Sequence, residues 1–159
     1  MDNIATALNT FAQHADLLDL EGNVRTSIPG VHFFRASKGS SRQPLVYQSG
    51  IIIVAQGRKV IHFPEAFTEV GLPIMGLAVD VDPTLLHKLV NQMRQHQGYI
   101  DNEQCRQVSC VQSAKIDGPL MQTIQRLIEV LPNTIESDIF GADIVKELVY
   151  RVLCGPQGK

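Results

Sequence analysis

Apolar positions along this chain change period twice, from helical to strand-like near residue 26 and back to helical after residue 82. Residues 1–19 carry Ile4, Leu8, Phe11, Ala12, Ala15 and Leu18 at spacings of three and four, which predicts one stripe of an amphipathic helix. Gly22-Asn23 is expected to end that helix, and Ser27-Ile28-Pro29-Gly30 is a turn cluster. Val31–Ala36 reads as a strand, followed by a polar loop from Ser37 to Pro44. Leu45–Tyr47 and Ile51–Ala55 are rich in β-branched residues, and the unbroken apolar run at 51–54 predicts a strand buried on both faces. Gln56-Gly57 is read as a turn, with Lys59–Phe63 as the returning arm of a hairpin. In Ile74–Val81, Leu77, Val79 and Val81 alternate with Gly76, Ala78 and Asp80, the period of a strand with unlike faces. The small residues on the second face leave volume of the kind a cavity wall requires.

Asp82-Pro83 then supplies a capping carboxylate followed by proline at the first helical position, opening a helix with Leu85, Leu86, Leu89, Val90 and Met93 on one side and its end near Gly98. Residues 99–112 fit either a helix or irregular structure. Asp117-Gly118-Pro119 opens a further helix carrying Leu120, Ile124, Leu127, Ile128 and Leu131, which Pro132-Asn133 breaks. A last helix is predicted from Ala142 to Cys154, with an apolar stripe too wide for one partner. Strands first and helices after define an α+β domain. It reads as one compact unit with a lead-in over 1–25, the strands over 26–82 and helices over 83–159.

Composition narrows the function. The chain has 159 residues, 44% hydrophobic and 19% charged, enough for one domain with a real core. Its formal net charge is -2, and no basic cluster exceeds the adjacent Arg58-Lys59, which argues against a free-standing nucleic-acid binder. Three irregularly spaced cysteines suit packed thiols in a reducing compartment rather than a disulfide framework or a zinc site. With neither a signal-peptide pattern nor a run long enough to span a membrane, a cytoplasmic location is expected.

Chemistry-bearing motifs are scarce. The five histidines include no His-x-His or His-Glu-x-x-His pair, so they are read as ordinary partly exposed side chains, with no metal or other cofactor expected. Gly-x-Ser-x-Gly, a P-loop and Gly-x-Gly-x-x-Gly are absent, and no enzyme activity is expected. Cys105 and Cys110, with Arg106 beside them, are candidates for a redox or electrophile sensor. Packed or idle thiols are the plainer reading.

Four ordered blocks carry a family resemblance. They are Thr26–Val31, Val54-Ala55-Gln56-Gly57-Arg58-Lys59, Met75–Pro83, and Ile144–Leu153 followed by Gly155-Pro156-Gln157-Gly158. Together they resemble the amino-terminal regulatory domain of AraC-type bacterial transcription regulators. The resemblance implies a cupin-like β-barrel, complete or abbreviated, followed by an α-helical subdomain, and a role in effector sensing and dimerisation. It also implies a homodimer that reaches operator DNA through a carboxy-terminal helix-turn-helix domain following Gly158 and absent from this chain. One departure stands out: the family has room for two or three more strands between Phe63 and Pro73 than this sequence provides.

On this reading the effector-pocket candidates are Phe33, Tyr47, Ile53, His62 and Leu77, strand residues able to face inward. Dimer-contact candidates are exposed parts of the stripes at Leu120, Ile124, Leu127, Leu131, Val145, Leu148 and Val152. Two alternatives remain: a small cupin-like enzyme, and a dimerisation module without ligand.

Overall fold

The computed structural model describes residues 2–37, 43–44, 50–56, 59–62, 65–68, 73–96 and 116–154. The amino-terminal stripe does form a helix, α1 (Asp2–His14), with Ile4, Leu8, Phe11 and Ala12 buried. It stops earlier than Gly22 because Asp16 takes a left-handed φ of 59° and Leu17 N–H bonds back to the Ala12 carbonyl at 2.7 Å. That closes the helix in the manner usually left to glycine, and a short acidic side chain tolerates the conformation. Beyond this stop lies a strand that periodicity missed, β1 (Gly22–Arg25).

Next come β2 (Val31–Ala36), β3 (Gln43–Pro44), β4 (Gly50–Gln56), β5 (Lys59–His62), β6 (Glu65–Thr68) and β7 (Ile74–Asp80). An antiparallel sheet of order β1-β2-β7-β4 carries the core, and a second has the order β3-β6-β5. The expected hairpin between 51–55 and 59–63 is therefore corrected. β4 pairs with β7, while β5 pairs with β6, one strand inside the stretch that is short of the family's two or three. Gln43–Pro44 likewise belongs to a strand rather than a polar loop, and Leu45–Tyr47 lies outside the described residues. Neither sheet closes on itself among the described residues: β1 and β4 edge the first, β3 and β5 the second.

β4 also departs from burial on both faces. Ile53 and Ala55 are buried, but Ile52 is 38% exposed and Val54 half-buried. Its pairing with β7 shifts between Val54 and Gln56, a bulge that brings the Ile53 carbonyl against Gly76. A Cβ at Gly76 would overlap that carbonyl and lie 2.6 Å from the Phe34 ring, so only glycine fits.

Three further helices follow: α2 (Pro83–His96), α3 (Gly118–Val130) and α4 (Thr134–Cys154). Each opens on a local cap. Thr84 N–H donates to Asp82 Oδ1 at 2.9 Å, Leu120 N–H to Asp117 Oδ1 at 2.9 Å, and Ile135 and Glu136 N–H to Asn133 Oδ1 at 3.1 Å each. α4 begins eight residues before Ala142, because Gly141 sits inside the helix rather than in front of it. α1 packs on β4 and α3, α3 packs on α4, and one core cluster runs from Ile4 to Leu148. α2 is more peripheral: of its apolar stripe only Leu89 is fully buried.

Candidate functional site

Strand parity gives the first sheet two faces. Phe33, Leu77 and Ile53 stand directly opposite one another across β2, β7 and β4, and all three are buried in the core cluster. The Phe11 ring of α1 meets Phe33 edge-on with centroids 5.8 Å apart. Three of the pocket candidates thus share one row, and that row faces the helix layer. Tyr47 lies outside the described residues, while His62 falls on β5 in the second sheet.

The other parity was missed. His32, Ala78 and Ile52 make one row on the opposite face, and Phe34, Gly76 and Val54 make the next. His32, Phe34, Val54 and Ala78 are half-buried and Ile52 is exposed. Part of the volume expected beside Gly76 and Ala78 is taken by the Phe34 ring lying over Gly76. At the end of this face Arg25 pairs across from His32, and His32 Nε2 lies 3.1 Å from Asp80 Oδ2. An apolar floor rimmed by a few polar groups is the usual make-up of a small-molecule site. Choosing this parity from sequence would require knowing which side the helices cover.

A second surface lies on α4. Ile135, Ile139, Phe140 and Tyr150 are the large apolar side chains this helix leaves exposed, at 69%, 59%, 49% and 39%. Periods of four and eleven put Ile135, Ile139, Lys146 and Tyr150 on one stripe, beside Asp143. A solvent-open depression of about 400 Å³ runs between α2 and this side of α4, lined by Leu89, Asp143, Lys146, Glu147 and Tyr150. Another, of about 640 Å³, follows the polar side of α2 past His87, Lys88 and Asn91.

The residues expected at a dimer contact are elsewhere. Leu120, Ile124, Leu127, Leu131 and Leu148 are buried within the chain, and Val145 and Val152 are half-buried against the same cluster. The α3 stripe is consumed by α1 and α4, which corrects the expectation that part of it stays exposed.

Glu147 joins α3 to α4 through several polar contacts. Glu147 accepts from Thr123 Oγ1 at 3.1 Å and from Arg126 Nη1 at 3.0 Å, with Arg151 Nη2 at 3.8 Å. At the end of α4 a hydrogen bond between the Tyr150 phenol and Cys154 raises the phenol's pKa above its ordinary value. The charge of Cys154 and partial burial add to this, and Arg151, whose guanidinium lies 5.7 Å from the ring centroid, opposes it. Among the described residues no group of three His, Cys, Asp or Glu side chains is placed to hold a metal ion. Cys105 and Cys110 lie outside them. No described helix is long and apolar enough to cross a membrane.

Comparison with known proteins places the chain. It matches the family described as the AraC-type transcriptional regulator N-terminus over residues 27–71 and again over 66–159. The chain belongs to that family. The two matched segments meet at 66–71, inside the stretch where the sequence is short of strands. No curated protein and no solved structure gives a significant match.

Proposed function

We propose that this chain is the effector-sensing and dimerising part of an AraC-type transcription regulator, whose operator is read by a separate helix-turn-helix part. The family match, which extends from residue 27 to residue 159, carries this reading. The family consists of transcription regulators, which supports a regulatory rather than an enzymatic role.

The two tasks fall to two surfaces. Effector sensing is assigned to the Phe34, Ile52, Val54 and Ala78 face, with His32, Asp80 and Arg25 at its rim. The two sheets would enclose it as the walls of an abbreviated cupin-like barrel. Its effector is a small, largely apolar or reactive molecule, since the floor is apolar and its polar groups sit at one end. Dimerisation is assigned to the outer face of α4. An exposed apolar stripe on an otherwise well-packed helix is a mark of association, and a two-fold contact requires a surface that complements itself. Asp143 and Lys146, of opposite charge and three residues apart at that stripe, support such a contact, since each would meet the other's counterpart across a two-fold axis.

Fusing the chain to a heterologous DNA-binding domain that represses only as a dimer tests the assignment. The fusion should repress a reporter, and Ile135→Glu with Ile139→Glu should abolish repression at equal protein level. Repression that survives both substitutions would move the interface elsewhere.

A further inference from the structure

The sheet and helix that carry the two candidate surfaces meet at one short turn, which reaches α4 from its buried side. Thr26–Gly30 is held rigid by its own bonds: Thr26 N–H to the Val31 carbonyl at 3.0 Å, Thr26 Oγ1 to the same carbonyl at 2.8 Å, and Val31 N–H to the Ile28 carbonyl at 3.1 Å. Gly30 closes it with a φ of +81°, a left-handed conformation that suits glycine. On the sheet side Asp80 N–H donates to the Gly30 carbonyl at 2.8 Å, and the same Asp80 pairs with His32 at the rim of the outer sheet face.

On the helix side the turn is plugged into the junction of α3 and α4. A Cβ at Gly141 would lie 2.9, 3.1 and 3.3 Å from Ile28 Cγ1, Cγ2 and Cδ1, so the Ile28 side chain is seated directly on the helix backbone. Ser27 Oγ is 2.9 Å from the Leu131 carbonyl and 2.8 Å from Ser137 Oγ, which itself donates to the Val130 carbonyl at 2.6 Å. Two hydroxyl protons serve these three contacts, so one contact is always shared. The carbonyls at the end of α3 thus depend on a side chain from the sheet for part of their satisfaction.

We propose that the Thr26–Gly30 turn is a coupling element that transmits the state of the sheet rim at His32 and Asp80 to α4, through Ile28 seated on Gly141 and Ser27 bonded at the α3–α4 junction. Its two states are seated and unseated. A ligand that shifts β2 against β7 moves the turn as one body, and the turn either keeps α4 in place or releases it. Coupling then requires only that the ligand favour one of the two states. The functional meaning of this link rests on the two surfaces proposed above. Its mechanics can be tested without a ligand or a dimer.

The experiment is a double-mutant cycle read by amide hydrogen exchange on the whole chain. Asp80→Ala keeps the Cβ and the backbone bond to Gly30 but removes the His32 partner. Exchange at residues 137–141 should accelerate at least threefold in the otherwise unaltered chain and stay unchanged when Ile28→Ala is already present. Ser27→Ala repeats the cycle without opening an apolar cavity and should also blunt the response. No change at 137–141 in the unaltered chain, or an equal change in every background, overturns the coupling. Repression by the fusion fails or survives independently of either result.

Discussion

Gly76 shows how far a single position can be constrained by what surrounds it. The bulge after Val54 presses the Ile53 carbonyl onto it, and the Phe34 ring covers it from the side. Gly76→Ala should cost about 3 kcal/mol or more, since a backbone atom cannot move aside as a flexible side chain could. A denaturation midpoint close to wild type would show that the bulge relaxes. Tyr150 gives a second prediction. Its hydrogen bond to Cys154 favours the neutral phenol in the folded chain, so its contribution to stability is present below the ordinary tyrosine value and lost as pH rises through the raised one. Ultraviolet titration should find one tyrosine ionising late, and Cys154→Ala should bring it back towards the ordinary value. An unmoved titration curve would contradict the bond. The caps at Asp82 and Asp117 were legible in the sequence because a cap is decided within three residues. Asp16, Gly76 and Gly141 were not: each depends on a neighbour distant in the chain or on a conformation atypical of its residue type.

At the scale of elements, periodicity located most helices and strands but could not pair them. β4 pairs with β7 and β5 with β6, a choice made between segments that lie apart in the chain, as in the pairing of Ile53 with Leu77. The choice of pocket candidates met a related limit. Strand alternation separates two faces, yet the face that meets Phe11 of α1 is fixed only when the helix docks. α4 was shortened in the reading because glycine normally punctuates a helix. Here the absent side chain at Gly141 makes room for Ile28. The seat predicts non-additivity. Gly141→Ala alone gains about 1 kcal/mol of helix propensity but loses about 1–3 kcal/mol to overpacking. Ile28→Ala alone should cost about 2–5 kcal/mol as a cavity. Combined, the two should cost clearly less than their sum, because the new methyl partly fills the space. Additive urea midpoints would mean that the two residues do not share a site. Leu127, by contrast, is fully buried, so a charge placed there tests folding rather than association.

For the molecule as a whole, the family was legible from four ordered blocks, and the family match over 27–159 bears that out. The proposed division of labour was not legible, since it depends on which apolar residues the core leaves over. Folding buries the α3 stripe and leaves Ile135, Ile139, Phe140 and Tyr150 of α4 outside. Self-association through that face is the step on which a dimeric regulator would depend. Sedimentation velocity over a range of concentrations tests it most directly. The unaltered chain should sediment as a dimer, and the Ile135→Glu, Ile139→Glu variant as a folded monomer with the same circular dichroism. A variant that remains dimeric, or an unaltered chain that is monomeric throughout, would contradict the account.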